Sequence, residues 1–267
     1  MAEQVIESGH WYDPASGEPR YTYTNKKGEI KNTTLRQARV NGWVPSVTTI
    51  ISHASAPALV EWKINQHILS ALTATRGTDE SEADFVSRIK SDAKEQAKKA
   101  AERGTQIHAW VQSALERKEV PEEALLFAES VKRTLMKEIM ECDTIYGEDS
   151  EEEWVKMLDF WICEQSFATN KYGGKADMHN PRYLIDIKTK TWDDKDKLAI
   201  WDTHIMQLAA YRQGLNIPEA KCGILYVHQD TAESVLLWAD EDKLKQGLEM
   251  FQGLLDFYYA KTKLGRE

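Results

Sequence analysis

Gly173-Gly174-Lys175-Ala176-Asp177 and, after a short turn, Leu184-Ile185-Asp186-Ile187-Lys188 are the two stretches that decide the fold. The second alternates with the period of a strand, placing Ile185 and Ile187 on one face and Asp186 and Lys188 on the other. Asp177 ends the first segment, and Asn180-Pro181-Arg182 is a turn that folds the two strands into a hairpin. A carboxylate and an ammonium therefore leave a strand otherwise apolar enough to be buried. Two acids beside a lysine on adjacent strands can hold a hard divalent cation against a phosphate. A D-x-K triplet alone is more often a solvated strand face. Here it has company: Gly104 and His108 in a Gly-x-x-x-His pattern and Glu164 upstream, and Gln207-Leu208-Ala209-Ala210-Tyr211 downstream.

Outward from the hairpin, strands are expected over Phe160 to Thr169, Lys175 to His179 and Tyr183 to Thr189, then a helix from about Ile200 to Leu215. Asn216-Ile217-Pro218 ends that helix. Strands Cys222 to His228 and Ser234 to Ala239 precede an amphipathic helix from Glu241 to about Lys263. This order predicts an α/β core, a central mixed sheet with helices on its faces. Upstream, residues 1–44 read as short strands and turns, and residues 45–143 as a helical lobe carrying His108. Within that lobe Ser46 precedes an apolar helical run, and helices follow over Ala58 to Leu72, Ser81 to Arg117 with a break near Gly104, and Pro121 to Glu141. Residues 144–267 form the core, and the three pieces are expected to make one integrated domain. The segment 144–159 fits neither period.

With 267 residues the chain can bury a sizeable core. No apolar run approaches a membrane span, and Met1-Ala2-Glu3-Gln4-Val5-Ile6-Glu7 has neither the basic start nor the apolar centre of a secretory signal. Cys142, Cys163 and Cys222 are scattered and odd in number, which argues against a disulfide framework or a four-thiolate metal site. A cytoplasmic location, with no membrane partner, is expected. The net charge of −9 opposes tight coating of duplex nucleic acid. Much of it is local, in Glu148, Asp149 and Glu151 to Glu153 and in Asp79, Glu80, Glu82 and Asp84. Engagement of a short stretch of polyanion through bound cations stays open.

In combination these motifs resemble the PD-(D/E)XK nuclease superfamily, in particular the branch of RecB-type nuclease domains and phage and mitochondrial single-strand exonucleases. Pro45-Ser46-Val47-Thr48-Thr49-Ile50-Ile51, with Leu59 and Trp62 behind it, is similar to that branch's N-terminal signature. Arg103-Gly104-Thr105-Gln106-Ile107-His108 is similar to its histidine motif. Glu164, Gly174-x-x-Asp177, Asp186-Ile187-Lys188 and Gln207-x-x-x-Tyr211 complete the set. The resemblance implies a restriction-endonuclease-like core and a Mg2+- or Mn2+-dependent deoxyribonuclease. An exonuclease acting on DNA ends or single strands in recombination, repair or replication is the leading form, in a phage or prokaryotic cell, with a recombination or single-strand-binding protein as a further partner. A structure- or sequence-specific endonuclease and a non-catalytic DNA-binding accessory protein are the alternatives. No self-complementary surface is legible, so the oligomeric state stays open.

The resemblance also assigns roles. Asp177, Asp186, the Ile187 carbonyl and His108 would hold the metal, an oxygen-rich set that admits manganese as well as magnesium. Lys188 would orient water or offset charge at the scissile phosphate. Glu164 would serve a second cation or a metal-bound water, and Gln207 and Tyr211, one helical turn apart, would bind phosphate or position the lysine. For DNA contact the candidates are Lys94, Lys98, Lys99, Arg103, Lys190 and Trp192. Glu95 and Glu102 stand at pairing distance from Lys99 and Lys98, so a solvated helix face is an equal reading. Trp192 and Trp201 flank a polar loop after the β-hairpin, where exposed aromatics can stack on splayed bases. Core packing is the other reading of both and is the one favoured for Trp201, so Trp192 is the stacking platform offered. Some relatives hold an iron–sulfur cluster through four cysteines, one before the histidine motif and three near the C-terminus. This chain has three, none before His108, so no cluster is expected.

Overall fold

The computed structural model describes residues 11–54, 57–142 and 161–265. The acidic run from Glu148 to Glu153, the segment 144–159, the strand start at Phe160 and the boundary between residues 143 and 144 lie outside the described residues.

The N-terminal part holds two small ribbons, β1 (Trp11–Tyr12) with β4 (Val44–Pro45) and β2 (Thr22–Thr24) with β3 (Ile30–Asn32). Between them, where short strands and turns are expected, lies a helix, α1 (Leu35–Asn41). Only Ala38 of α1 is buried, so no apolar stripe announces it. Its ends define it instead: the Thr34 side chain accepts from the Gln37 N–H, and Gly42 closes the helix at φ +69°. The short α2 (Val47–Ile51) starts at Ser46, whose hydroxyl accepts the Thr49 N–H at 3.0 Å. Then come α3 (Pro57–Thr73), α4 (Glu82–Leu115) and α5 (Glu122–Cys142).

The central sheet has five strands in the order β5 (Ile162–Ala168), β6 (Gly173–His179), β7 (Tyr183–Lys190), β8 (Lys221–His228) and β9 (Ser234–Trp238). Asp177 therefore lies inside β6 rather than at its end. Only β7 and β8 run parallel, and α6 (Asp202–Gly214) is the crossover between them. The last helix is α7 (Glu241–Thr262). Strand alternation feeds two cores. Leu184, Cys222, Ile224 and Tyr226 pack with α2, α6 and α7 on one face, and Trp11 and Ala38 join that same core. Ile185, Ile187, Leu225 and Val227 pack with α4 and α5 on the other. The result is a mixed sheet between two helical layers. Among the described residues no helix is long and apolar enough to cross a membrane.

The expected break at Gly104 is absent: α4 runs through it. A Cβ there would lie 2.6 Å from the Thr189 hydroxyl on β7, so the glycine lets the helix approach the strand next to Lys188. Gln229 ties the same junction, its amide donating to Thr189 Oγ1 at 3.3 Å and to the Ala100 carbonyl at 3.4 Å. Alanine favours a helix interior over glycine by about 1 kcal/mol, whereas overpacking a tight contact costs about 1–3 kcal/mol. Gly104→Ala is therefore expected to lower the urea midpoint. Gly104→Ala/Thr189→Ala, with the obstructing oxygen gone, should recover it.

Candidate active site

The site forms where β6 and β7 part. These strands of 7 and 8 residues pair only at Met178↔Ile185 and His179↔Leu184. The next pair in that register would be Asp177 opposite Asp186, and there the ladder stops. Asp177 Oδ2 accepts the Ile187 N–H at 2.7 Å, a bond the parted backbone does not supply. Alternation also slips at this point: Ala176 faces the α6 layer, but Met178, two residues on, faces the α4 layer. On β5, Glu164 lies between the pairs Cys163↔Met178 and Gln165↔Ala176, level with Asp177, at φ +54°. A non-glycine residue in that region costs roughly 1–2 kcal/mol. The strain sits beside the acids, and the Glu164 carboxylate ion-pairs with Lys175.

Asp186, 2% exposed, anchors a closed triangle. Lys188 Nζ lies 2.7 Å from its Oδ2, and Gln207 Nε2 donates to its Oδ1 at 2.7 Å. Lys188 also donates to Gln207 Oε1 at 3.2 Å. The two ends of one amide thus read one anion and one cation, which fixes its orientation. The ion pair is close but poorly aligned, leaving Asp186 Oδ2 buried without a directional hydrogen bond. Burial pulls the Lys188 pKa down, but Asp186 and Asp177 outweigh it and hold the ammonium above its usual range. Behind Gln207, burial and the same two acids push the Tyr211 phenol far up, so it stays protonated. Its ring needs Gly174: a Cβ there would lie 2.7 Å from Tyr211 Cε1 and 2.9 Å from Phe167. The Gly-x-x-Asp and Gln-x-x-x-Tyr segments are two sides of one contact.

His108 arrives from α4 with Nδ1 3.8 Å from Asp177 Oδ2. Burial lowers its pKa against the pull of Asp186, which keeps the imidazole neutral and able to offer a lone pair. Asp177 moves the other way, its carboxyl raised well above the usual range by burial and then by Asp186. The donor chemistry fits a hard divalent cation: two crowded acids, one with an oxygen lacking a directional partner, a carbonyl at Ile187 and a neutral imidazole. As the side chains stand, no three His, Cys, Asp or Glu groups among the described residues close on one point. Asp177 is turned to the Ile187 N–H, and Asp186 to Gln207 and Lys188.

The residues offered for DNA contact scatter. Lys190 is exposed at the end of β7, its Nζ 5.8 Å from the Tyr226 ring. Lys94 is exposed on α4, while Lys98 and Lys99 pair with Glu102 and Glu95 on that helix. Arg103 lies over the rings of Trp110 and Phe127, 4.8 and 5.3 Å from their centroids, and serves the seam between α4 and α5. The two tryptophans exchange the places expected of them. Trp192 packs against the core with its ring centroid 4.7 Å from His228, whereas Trp201 is 51% exposed.

One neighbour of the triangle escapes the motifs. His204 precedes Gln207 by three residues on α6 and lies in the field of Lys188, Asp186 and Lys190. The 204-207-211 spacing is visible in the chain as one helical face. Burial, then Lys188, lowers the His204 pKa to about 4. As pH falls below about 6.5 the unfolded chain takes up a proton that folded His204 refuses until near 4. Stability is thus lost over that window, at up to about 1.4 kcal/mol per pH unit. His204→Gln should flatten this part of the pH dependence in urea titrations.

No protein-family model matches the chain, and no curated protein does. Among solved structures, a protein from Eubacterium rectale provisionally described as an exonuclease is similar at 15% identity and TM-score 0.37, over 62% of this chain and 69% of its own. A second, SSO0001, is similar at 17% identity and TM-score 0.23, over 73% of this chain and 85% of its own. At TM-scores this low neither likeness bears on function.

Proposed function

We propose that the chain is a divalent-metal-dependent deoxyribonuclease with a restriction-endonuclease-like core of the PD-(D/E)XK kind, acting on DNA ends or single strands. The observation that carries this reading is the opposition of Asp177 and Asp186 where β6 and β7 part, with Lys188 held beside them by Gln207. Asp177, Asp186, the Ile187 carbonyl and His108 would hold Mg2+ or Mn2+. The bound ion supplies a water of lowered pKa and offsets charge on the phosphate. Lys188, kept protonated by its acidic neighbours, faces the phosphate as a fixed positive charge. Gln207 is a positioning residue, setting Asp186 and Lys188 relative to each other, and Tyr211 backs it from the core. Glu164 adds a further carboxylate next to the acids, and Lys190 extends positive charge along the exit of β7.

The test is incubation with end-labelled linear and closed circular DNA in Mg2+ or Mn2+. Shortening of linear strands supports the reading, and nicking of circles with linear DNA intact moves it to an endonuclease. The ion pair between Asp186 and Lys188, which offsets both charges within the protein, favours one rival, a non-catalytic DNA-binding protein. Metal-dependent binding without cleavage of any substrate would select that rival.

A further inference from the structure

Trp201 is the exposed aromatic nearest the triangle along the chain. It stands at the start of α6, and its side chain neither caps the helix nor joins the core, unlike its neighbours Leu198 and Ile200. Its backbone N–H donates to His204 Nδ1 at 3.4 Å. Tyr226 Oη also lies 3.3 Å from that nitrogen, but its proton goes to the Ala199 carbonyl at 2.8 Å. Nδ1 is therefore an acceptor, and the proton of the neutral imidazole sits on Nε2, where no protein group takes it among the described residues. One turn further, Gln207 touches Asp186 and Lys188. Trp201, His204 and Gln207 thus run along α6 from the exposed rim to the triangle, spanning on the order of 9 Å.

From this arrangement we infer that Trp201 and His204 form a nucleotide subsite on the approach to Lys188, the indole stacking an unpaired base and the imidazole Nε2–H donating to a backbone phosphate. The substrate class that fits is single-stranded DNA, since a base inside a duplex has no free face for the indole. A stacked base contributes about 1–3 kcal/mol, and any base serves, so the subsite grips strands without reading sequence. A neutral N–H adds orientation more than attraction, in contrast to the charged Lys188 and Lys190. The inference rests on the nuclease reading for the identity of the polymer, not for its test.

The measurement is fluorescence anisotropy of labelled oligo(dT) and of a duplex of equal length, with calcium in place of magnesium and the DNA shown intact afterwards. Trp201→Ala is expected to weaken oligo(dT) binding by roughly 5- to 150-fold, with little change for duplex and no change in melting temperature. Trp201→Phe, which keeps a stacking face, should stay close to wild type. His204→Ala should cost a smaller factor that His204→Gln, which keeps a donor, restores. Equal oligo(dT) affinity in wild type and Trp201→Ala overturns the subsite, as does an absence of oligo(dT) binding by wild type. Trp201-dependent binding without cleavage in Mg2+ or Mn2+ would end the nuclease reading and leave the subsite standing. Cleavage with no dependence of binding on Trp201 does the reverse.

Discussion

Asp186→Asn and Lys188→Met are each expected to slow phosphodiester cleavage by about 100-fold or more, the scale on which a single positioned electrostatic partner acts. The two variants should differ sharply in stability. Asparagine at 186 still accepts from Gln207 Nε2, and the Lys188 ammonium reaches solvent along its part-exposed stem. Methionine at 188 instead strands a carboxylate that is 2% exposed. Removing one partner of a fully buried pair costs about 3–5 kcal/mol; the part-exposed lysine lowers that figure here. Asp186→Asn/Lys188→Met should recover most of the stability lost by Lys188→Met while remaining inactive, a non-additivity that marks direct contact. Gln207→Glu, which sets an acceptor against Asp186 where a donor belongs, should lower the single-turnover rate more than it lowers DNA affinity. Wild-type rates in Asp186→Asn and Lys188→Met would remove the chemistry from this triangle.

What was legible in the chain was periodicity, and what was hidden was contact. Tyr183 to Ile187 is a buried run broken only by Asp186, because β7 is central and covered on both faces, so its polar positions stand out. Helix α1 carries no long stripe, since only Leu35 and Ala38 turn to the core, and its ends mark it instead. Gly104 reads as a breaker from its intrinsic propensity, yet its role is set by Thr189, 85 positions later, which no local rule reaches. The parting of β6 from β7 and the positive φ of Glu164 are tertiary in the same sense. Composition treats Trp192 and Trp201 alike, and the presence of His228 against one of them separates them. The ion pairs Lys98–Glu102 and Lys99–Glu95 were open from their spacing, and they take up two of the charges offered to DNA. Asp177, Asp186, Lys188, Gln207 and His108 are neighbours where β6 and β7 part, but their motif order does not tell how each is oriented.

Orientation makes Asp177 the most informative single change for metal binding. In metal-free protein its carboxyl is crowded by burial and by Asp186, and its folded pKa is raised. For an acid shifted this way the sign is fixed. Its contribution is fully favourable below the unfolded value near 3.9 and is lost as pH rises through the higher folded value. Asp177→Asn removes that loss, because the amide oxygen can still accept the Ile187 N–H that Asp177 takes at 2.7 Å. In chelator at neutral pH the variant should therefore melt above wild type, by about 2–4 °C for each kcal/mol recovered in a chain of this size. The gap should close as pH falls toward 4. Adding Mg2+ or Mn2+ should raise the wild-type melting temperature by mass action and leave the variant nearly unmoved. A site that sacrifices stability in the metal-free state to hold two acids together is what the proposed cation site requires. If Asp177→Asn melts below wild type in chelator, or responds to metal as wild type does, the acids are not crowded for that purpose.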